Sequence, residues 1–163
     1  MRECCTSPFY KSPPRARAGK RRHILGEPPG ISQSDEVNEL SKIFKLEEAE
    51  KVEDPGTRTM HWLMNAGLGA EKMRVVIYDF EPNLRFDKVH YHDERESIYV
   101  ILEGTAIVHL NGEEHVLGPE TVAYLSPGDI HGVVGTGEDG LKMLEAWAPA
   151  ERDTTYMDYE RKE

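Results

Sequence analysis

Short apolar stretches recur along the chain from about Ser41 onward, and Gly, Pro or Asn interrupts them at intervals of about 8 to 12 residues. Most of these stretches are rich in Val, Ile, Tyr or Trp, which pack well on a pleated sheet. No long apolar repeat with the 3.6-residue period of a helix occurs in this region. The pattern therefore predicts an all-β domain, an antiparallel sandwich or barrel.

The strand boundaries follow from the interruptions. The predicted strands are 59–65, 73–80, 88–92, 98–102, 105–110, 114–117, 122–125, 132–134 and 141–148. The clearest hairpin spans 105–117, where Asn111-Gly112 suits the two positive-φ positions of a type I′ turn. That turn places His109 opposite Glu114, so His109 and His115 point to opposite faces and cannot share one site. For residues 34–50, the sequence does not distinguish between a helix and an opening strand at 43–46.

Length and charge predict one domain with an extension. A chain of 163 residues suits a single domain, which we place at 35–163. Residues 1–34 hold five prolines, seven Lys or Arg and two acids, which predicts a disordered basic tail. The remainder holds 13 Lys or Arg and 28 acids. A body this acidic is a poor match for a phosphate backbone, so we expect no nucleic-acid partner.

The cysteines and the hydropathy pattern narrow the setting of the protein. Its two cysteines, Cys4 and Cys5, are adjacent, so they predict neither a disulfide framework nor a thiolate metal site. No apolar run approaches the roughly 18 residues of a membrane span, and the basic N-terminus lacks the apolar core of a signal peptide. We therefore expect a cytoplasmic protein with no membrane partner. Any metal must be bound by nitrogen and oxygen.

Two histidines and a carboxylate stand close together in the segment His90-Tyr91-His92-Asp93-Glu94-Arg95-Glu96. In an extended strand, residues two apart share a face, so His90 and His92 can approach one point while Tyr91 faces away. Glu96 needs only a tight turn to join them. Further along, Ser126-Pro127-Gly128-Asp129 predicts a turn immediately before His131.

These two segments, HYHDERESIYVILEG and GPETVAYLSPGDIHGVV, resemble the two motifs of the cupin superfamily. The first motif has the form G-x5-H-x-H-x3-4-E-x6-G and the second has the form G-x5-P-x-G-x2-H-x3-N. Both motifs fall within 82–135. Four scaffold positions depart from the pattern, with Leu84, Glu120, Ser126 and Gly135 in place of the expected Gly, Gly, Pro and Asn. In addition, seven residues rather than six separate Glu96 from Gly104.

The resemblance implies a double-stranded β-helix, or jelly-roll, barrel and a metal site formed by His90, His92, Glu96 and His131. Three imidazoles and one carboxylate suit one divalent transition metal ion, whether Fe, Mn, Ni, Zn or Cu. Small cupins commonly pair as homodimers. The resemblance therefore places an interface at 43–46 and on the 59–65 strand.

For function, we expect a metal-dependent enzyme that acts on a small polar organic substrate, with a slight preference for dioxygenase chemistry. Isomerase, decarboxylase and lyase reactions stay open, because the fold does not choose among them. A non-catalytic small-molecule-binding or sensing module is the alternative from another class. A nearby Tyr or Glu could act as a base.

Other residues receive simpler interpretations. One of Arg74, Arg85 and Arg95 could bind a substrate carboxylate. His61 has no partner that the sequence reveals. The aromatic and methionine residues on strands are expected to fill the barrel core or a dimer face; they are Trp62, Met64, Tyr99, Tyr124, Met143 and Trp147.

Overall fold

The computed structural model describes residues 41–151 and 153–160, all of which fall within one compact unit. These residues form nine strands and two short 3-10 helices. The strands are β1 (Glu50–Asp54), β2 (Arg58–Met64), β3 (Arg74–Phe80), β4 (Lys88–His92), β5 (Glu96–Leu110), β6 (Glu113–Leu117), β7 (Val122–Leu125), β8 (His131–Ala148) and β9 (Thr154–Asp158). The helices are Leu46–Glu48 and Ala66–Leu68. The predicted all-β class is confirmed, and the predicted tail, 1–34, lies outside the described residues.

The two longest strands, β5 and β8, divide the sheet into two halves. The first part of β5 pairs with the last part of β8, and β7 and β3 flank this pair. The last part of β5 pairs with the first part of β8, and here β6 and β4 are the flanking strands. β2 and β1 extend the first half beyond β3, while β9 extends the second half beyond β4. This topology is the predicted jelly roll.

Two glycines mark the point where both long strands change partners. Gly104 in β5 has φ 73° and Gly140 in β8 has φ 76°, values that a residue with a Cβ rarely adopts. A Cβ on Gly104 would lie 2.2 Å from the Gly140 carbonyl oxygen. The sequence predicted breaks near these glycines, and the structure instead has strands that continue through them.

The structure places most predicted strands within one or two residues and adds two that the sequence analysis missed. The missed strands are β1 and β9, which lie at opposite ends of the strand order. All five residues of β1, with the sequence EKVED, are exposed. An edge strand that buries neither face shows no alternation of apolar and polar residues, so the pattern could not reveal it. In the open segment 34–50, the described part holds the helix Leu46–Glu48 and the first residue of β1.

The hairpin between β5 and β6 agrees with its prediction. Asn111 and Gly112 have φ of 48° and 95°, and His109 pairs with Glu114. The buried apolar core lies between the two halves of the sheet. Its members are Phe80, Tyr99, Ile101, Ala106, Val108, Leu125, Leu141 and Met143. Full burial of each large apolar side chain contributes about 1.5–3 kcal/mol to stability.

Among the described residues, no helix has the length and apolar character needed to cross a membrane.

Candidate metal centre and adjoining cavity

Three histidines meet inside the barrel because neighbouring strands carry them. His90 and His92 lie on β4, and His131 is the first residue of β8, directly opposite His90 in the strand pairing. The nitrogens that these three side chains could offer to an ion lie within 4.8 Å of one another. Their ring centres are separated by 4.5 to 5.3 Å. One ion could therefore contact all three.

The turn before β8 fixes the position of the third histidine. The Asp129 carboxylate accepts a hydrogen bond from the Ser126 N–H at 2.8 Å. The Gly128 N–H donates to the His92 carbonyl oxygen at 2.7 Å. The turn is thus attached to β4, so that the strand carrying the first two histidines also positions the third.

Oxygen atoms close to Nδ1 orient two of the imidazoles. His131 Nδ1 lies 2.8 Å from the Asp129 carbonyl oxygen, which can only accept, so Nδ1 carries the proton. His92 Nδ1 lies 3.1 Å from an Asp153 carboxylate oxygen, which favours the same tautomer. In both residues Nε2 is buried and has no partner among the described residues. An unpaired buried acceptor costs about 1–3 kcal/mol, and a cation at these nitrogens would remove that cost. The donor set fits a metal.

Burial keeps the three imidazoles neutral. It lowers the pKa of His90 to about 3 and that of His92 to about 4, with further lowering by neighbouring imidazoles and by Arg95. Burial also lowers the pKa of His131, although the Asp129 carbonyl acts in the opposite sense. A neutral imidazole has a free lone pair at physiological pH, so protons would not compete with a cation for these nitrogens.

Glu96, the fourth predicted ligand, does not join the histidines. It is the first residue of β5, and its exposed side chain lines a surface depression with Glu94 and Glu151. Along β5, Ser97 and Tyr99 face inward, so strand alternation directs Glu96 outward. The sequence did contain a sign of this outcome. The motif has six residues between its glutamate and its glycine, and counting back from Gly104 by that spacing reaches Ser97 rather than Glu96.

A buried ion pair occupies the interior next to Ser97. Arg95 pairs with Glu145 and donates through Nε to Ser97 Oγ at 3.0 Å. Its guanidinium carbon also lies 4.2 Å from the ring centre of Trp147. Arg95 and Glu145 are 8% and 6% exposed, so the loss of either would leave an uncompensated buried charge.

Two tyrosines lie near the Glu145 carboxylate. The Tyr78 hydroxyl is close enough to Glu145 for each group to shift the pKa of the other. Burial raises the pKa of Tyr78 and of Tyr99, and the Glu145 charge raises both further. Burial likewise raises the pKa of Glu145, while Arg95 lowers it. Both hydroxyls therefore keep their protons at neutral pH, and Glu145 is a carboxyl group suited to proton exchange.

These groups line a cavity of about 440 Å³, within the usual range of small-molecule sites. His90 lines it directly, together with Arg95, Tyr99 and Glu145. Trp62 and Trp147, which were expected to fill a core or a dimer face, line this cavity with their ring centres 5.9 Å apart. Tyr99 and Met143 line it as well and also belong to the core, as expected. His90 thus connects the histidine cluster to the cavity that Tyr78, Tyr99 and Glu145 line.

Three arginines that the sequence nominated for a substrate carboxylate have other partners. Arg95 is paired with Glu145. Arg85 donates to the carbonyls of Leu84 and Thr136, outside the cavity lining. Arg74 lines the cavity but donates to the carbonyls of Ala70 and Met73.

Sequence reasoning missed Arg58, Glu145 and Asp153. A charged residue at an inward position of an apolar strand was the available signal for Glu145, which stands between Met143 and Trp147. Asp153 becomes relevant only through the contact of β9 with β4, and the sequence did not reveal β9.

His61, for which the sequence revealed no partner, has one in the structure. Its Nε2 lies 3.0 Å from an Asp79 carboxylate oxygen on β3. The pairing of β2 with β3 creates this contact, because Asp79 stands opposite Thr59 in the register. Two residues 18 apart in sequence meet only once that register is known.

Solved structures share this fold. The polyketide cyclase RemF from Streptomyces resistomycificus matches with a TM-score of 0.60 at 25% identity, covering 76% of this chain and 88% of that chain. KdgF from Halomonas sp. matches with a TM-score of 0.57 at 21% identity, covering 69% of this chain and 96% of that chain. Pac13 from Streptomyces, a nucleoside dehydratase, matches with a TM-score of 0.57 at 16% identity, covering 73% and 92%.

A comparison with proteins of curated function finds no match. The family model described as the cupin domain matches residues 76–147, which extend from β3 through β8 and include all three histidines. The sequence motifs, the jelly-roll topology and the family model agree in supporting the cupin superfamily.

Proposed function

We infer that the chain is a divalent-metal-dependent enzyme that catalyses a non-oxidative proton-transfer reaction, a dehydration or a ring closure, on a small oxygen-containing molecule. The observation that carries this inference is the position of His90, which belongs to the three-histidine cluster and lines the same cavity as Arg95, Glu145 and Tyr78. A binding module needs a cavity and contacts to its ligand. It has no need of buried acid–base groups with raised pKa values beside a cluster of metal ligands.

His90, His92 and His131 are the residues that would hold the ion. A divalent ion on three imidazoles supplies Lewis acidity toward a substrate oxygen. The pair of unpartnered Nε2 atoms on His92 and His131 supports this assignment, and the Asp129 and Asp153 oxygens orient the two rings. Glu96 is left out of the proposed ligand set.

The acid and base roles fall to groups that line the same cavity. We assign Glu145 as the base that removes a proton from carbon next to a carbonyl group, since its raised pKa brings it nearer neutral pH. Tyr78, which keeps its proton, would return one to a departing oxygen. Arg95 positions Glu145 through their ion pair. This division of roles supports elimination of water and, by the same proton transfers, ring closure.

Two of the matching structures support the same reaction class. RemF is a polyketide cyclase and Pac13 is a nucleoside dehydratase, so similar barrels host non-oxidative chemistry. Dioxygenase chemistry, the expectation from sequence, is the second candidate. Three protein ligands leave positions open on a redox-active ion, and this favours the second candidate.

A two-part experiment tests the proposal. Elemental analysis should find one divalent transition metal per chain in the wild type and a loss of at least tenfold in His131→Ala. His115→Ala provides the matched control, because His115 is a histidine on β6 outside the cluster.

The second part follows solvent deuterium exchange by NMR in a panel of small ketones and 3-hydroxy carbonyl compounds under anaerobic conditions. Exchange or dehydration is expected with the wild type and not with Glu145→Gln. Oxygen uptake with the same panel in air, without deuterium exchange in either condition, would support the dioxygenase instead. Stoichiometric metal with neither reaction would support a binding module.

A further inference from the structure

Arg58 carries a buried nitrogen without an acceptor in the same cavity. Its Nε is buried, and no described residue accepts a hydrogen bond from it. Its guanidinium carbon lies 5.3 Å from the ring centre of Tyr78 and 5.5 Å from that of Phe80, and these contacts hold the group against an aromatic wall. A desolvated guanidinium N–H without an acceptor is unfavourable, and an anion placed against the guanidinium group would offset that cost.

The charges around the cavity leave Arg58 in excess. The charged side chains that line it are four cations and one carboxylate, namely Arg58, Arg74, Lys88, Arg95 and Glu145. Glu145 pairs with Arg95, and Lys88 pairs with Asp158 on β9. Arg74 is engaged by backbone carbonyls. A cavity with excess positive charge, in a chain of formal net charge −10, is suited to an anionic ligand.

A second donor without a partner belongs to Trp147, one of the residues that line the cavity. Trp147 Nε1 is buried and has no acceptor among the described residues, and an indole N–H can only donate. In the strand pairing, Arg58 stands opposite Phe80 at one end of β3 and Trp147 stands opposite Arg74 at the other. A ligand that satisfies both donors therefore carries oxygen acceptors at two separate places.

We propose that the substrate is a small organic carboxylate, with its carboxylate group paired to Arg58 and a second oxygen accepting from Trp147 Nε1. One unpaired guanidinium matches one negative charge, and its fork can contact both carboxylate oxygens. The aromatic rings of Trp62, Tyr78 and Phe80 provide apolar wall for the body of the molecule. This inference deepens the proposed function, on which it rests for treating the cavity as the substrate site.

The test measures binding by isothermal titration calorimetry, both to the protein as purified and to protein treated with chelator. The probes are 4-hydroxybenzoate, cinnamate and 2-oxobutanoate, each beside its primary amide, which keeps the shape and removes the charge. At least one acid should bind the wild type at least tenfold more tightly than its amide. Arg58→Gln should weaken that acid at least tenfold and leave the amide unchanged, and Arg58→Lys should fall between.

Lys51→Gln is the matched control, because it removes one positive charge from the exposed neighbouring strand β1. It should leave binding unchanged, and each variant must first show the wild-type circular dichroism spectrum. If acids and amides bind equally, or if Arg58→Gln binds the acid as the wild type does, the inference is overturned. Arg58→Lys retains the charge, so it remains informative if the glutamine variant fails to fold.

The outcome separates this inference from the proposed function. Acid binding that disappears on chelation, returns with Zn²⁺ and ignores Arg58→Gln would overturn the carboxylate site at Arg58 and support the metal centre. Binding that depends on Arg58, in a protein that takes up no metal, would uphold the site and contradict the metal-dependent enzyme.

Discussion

Single residues decide which side chains can serve the candidate metal centre. His131 and His92 are oriented by oxygens of Asp129 and Asp153, which leaves their Nε2 atoms free. Glu96 has a carboxylate that could bind a metal, but it is exposed on β5, next to the inward-facing Ser97. A one-residue shift in a strand moves a side chain to the opposite face, so the inward position belongs to Ser97.

The orientation of Glu96 predicts that it is dispensable for metal binding. Glu96→Gln should retain the full metal content of the wild type, because its side chain lies outside the histidine cluster. His92→Ala should lose at least tenfold, since it removes a buried ligand atom. Inductively coupled plasma mass spectrometry after dialysis gives both values. Loss of metal in Glu96→Gln would restore the ligand set expected from the sequence.

The lowered histidine pKa values predict a pH-dependent stability for metal-free protein. The pKa of His90 is about 3 in the folded chain and about 6.5 in the unfolded chain, so the unfolded state binds more protons between these values. The stabilising contribution of neutral His90 is therefore complete above about pH 6.5 and declines as the pH falls toward 3.

Chelator-treated wild type and His90→Gln should differ in this respect. Between pH 7 and pH 4, the wild type should lose about 1–3 kcal/mol of unfolding free energy relative to the variant. Urea unfolding of both proteins at both pH values measures this difference, in which the titration of groups that do not interact with His90 cancels. A difference that is independent of pH would contradict the assigned cause.

At the scale of elements, the bent strands β5 and β8 define the barrel. Each contributes to both halves of the sheet, and Gly104 and Gly140 lie where the partners change. The close approach of the Gly104 Cα to the Gly140 carbonyl leaves no space for a side chain. The turn glycine Gly112 also has positive φ, but nothing lies within 4 Å of a Cβ built there.

This contrast predicts unequal effects of one substitution. Gly112→Ala should cost about 1 kcal/mol, because only the backbone conformation is disfavoured. Gly104→Ala should cost about 3 kcal/mol or more, because a steric clash between the strands adds to the same backbone effect. Chemical denaturation of both variants measures the two costs. Equal costs would show that the strands separate easily at this corner.

At the scale of the molecule, an exposed apolar area lies on the outer side of the β5–β7 pairing. Ile98 pairs with Tyr124, and their side chains are 36% and 56% exposed. Val122 is 60% exposed on the same strand as Tyr124. The interface expected from sequence lies elsewhere, at 43–46 and on the 59–65 strand. There Ile43 is fully exposed, while Trp62 lines the cavity.

We expect a homodimer, and the structure favours the β5–β7 face as its interface, because clustered exposed apolar residues mark contact surfaces. Light scattering should give a mass twice the 18.5 kDa of the chain. Tyr124→Lys should shift the population to monomer, and Ile43→Lys should leave the dimer intact. The reverse result would place the interface at 43–46. A wild-type monomer would contradict both locations.

The sequence by itself determined the all-β class, most strand positions, the Asn111-Gly112 turn and three histidines that meet. These features depend on local patterns, namely alternation, turn chemistry and spacing within a motif. Only the tertiary structure decided the position of Glu96 and the roles of Arg58, Glu145 and Asp153. Their contacts arise from strand register and from edge strands without an apolar pattern, so residues far apart in sequence meet only when the barrel closes.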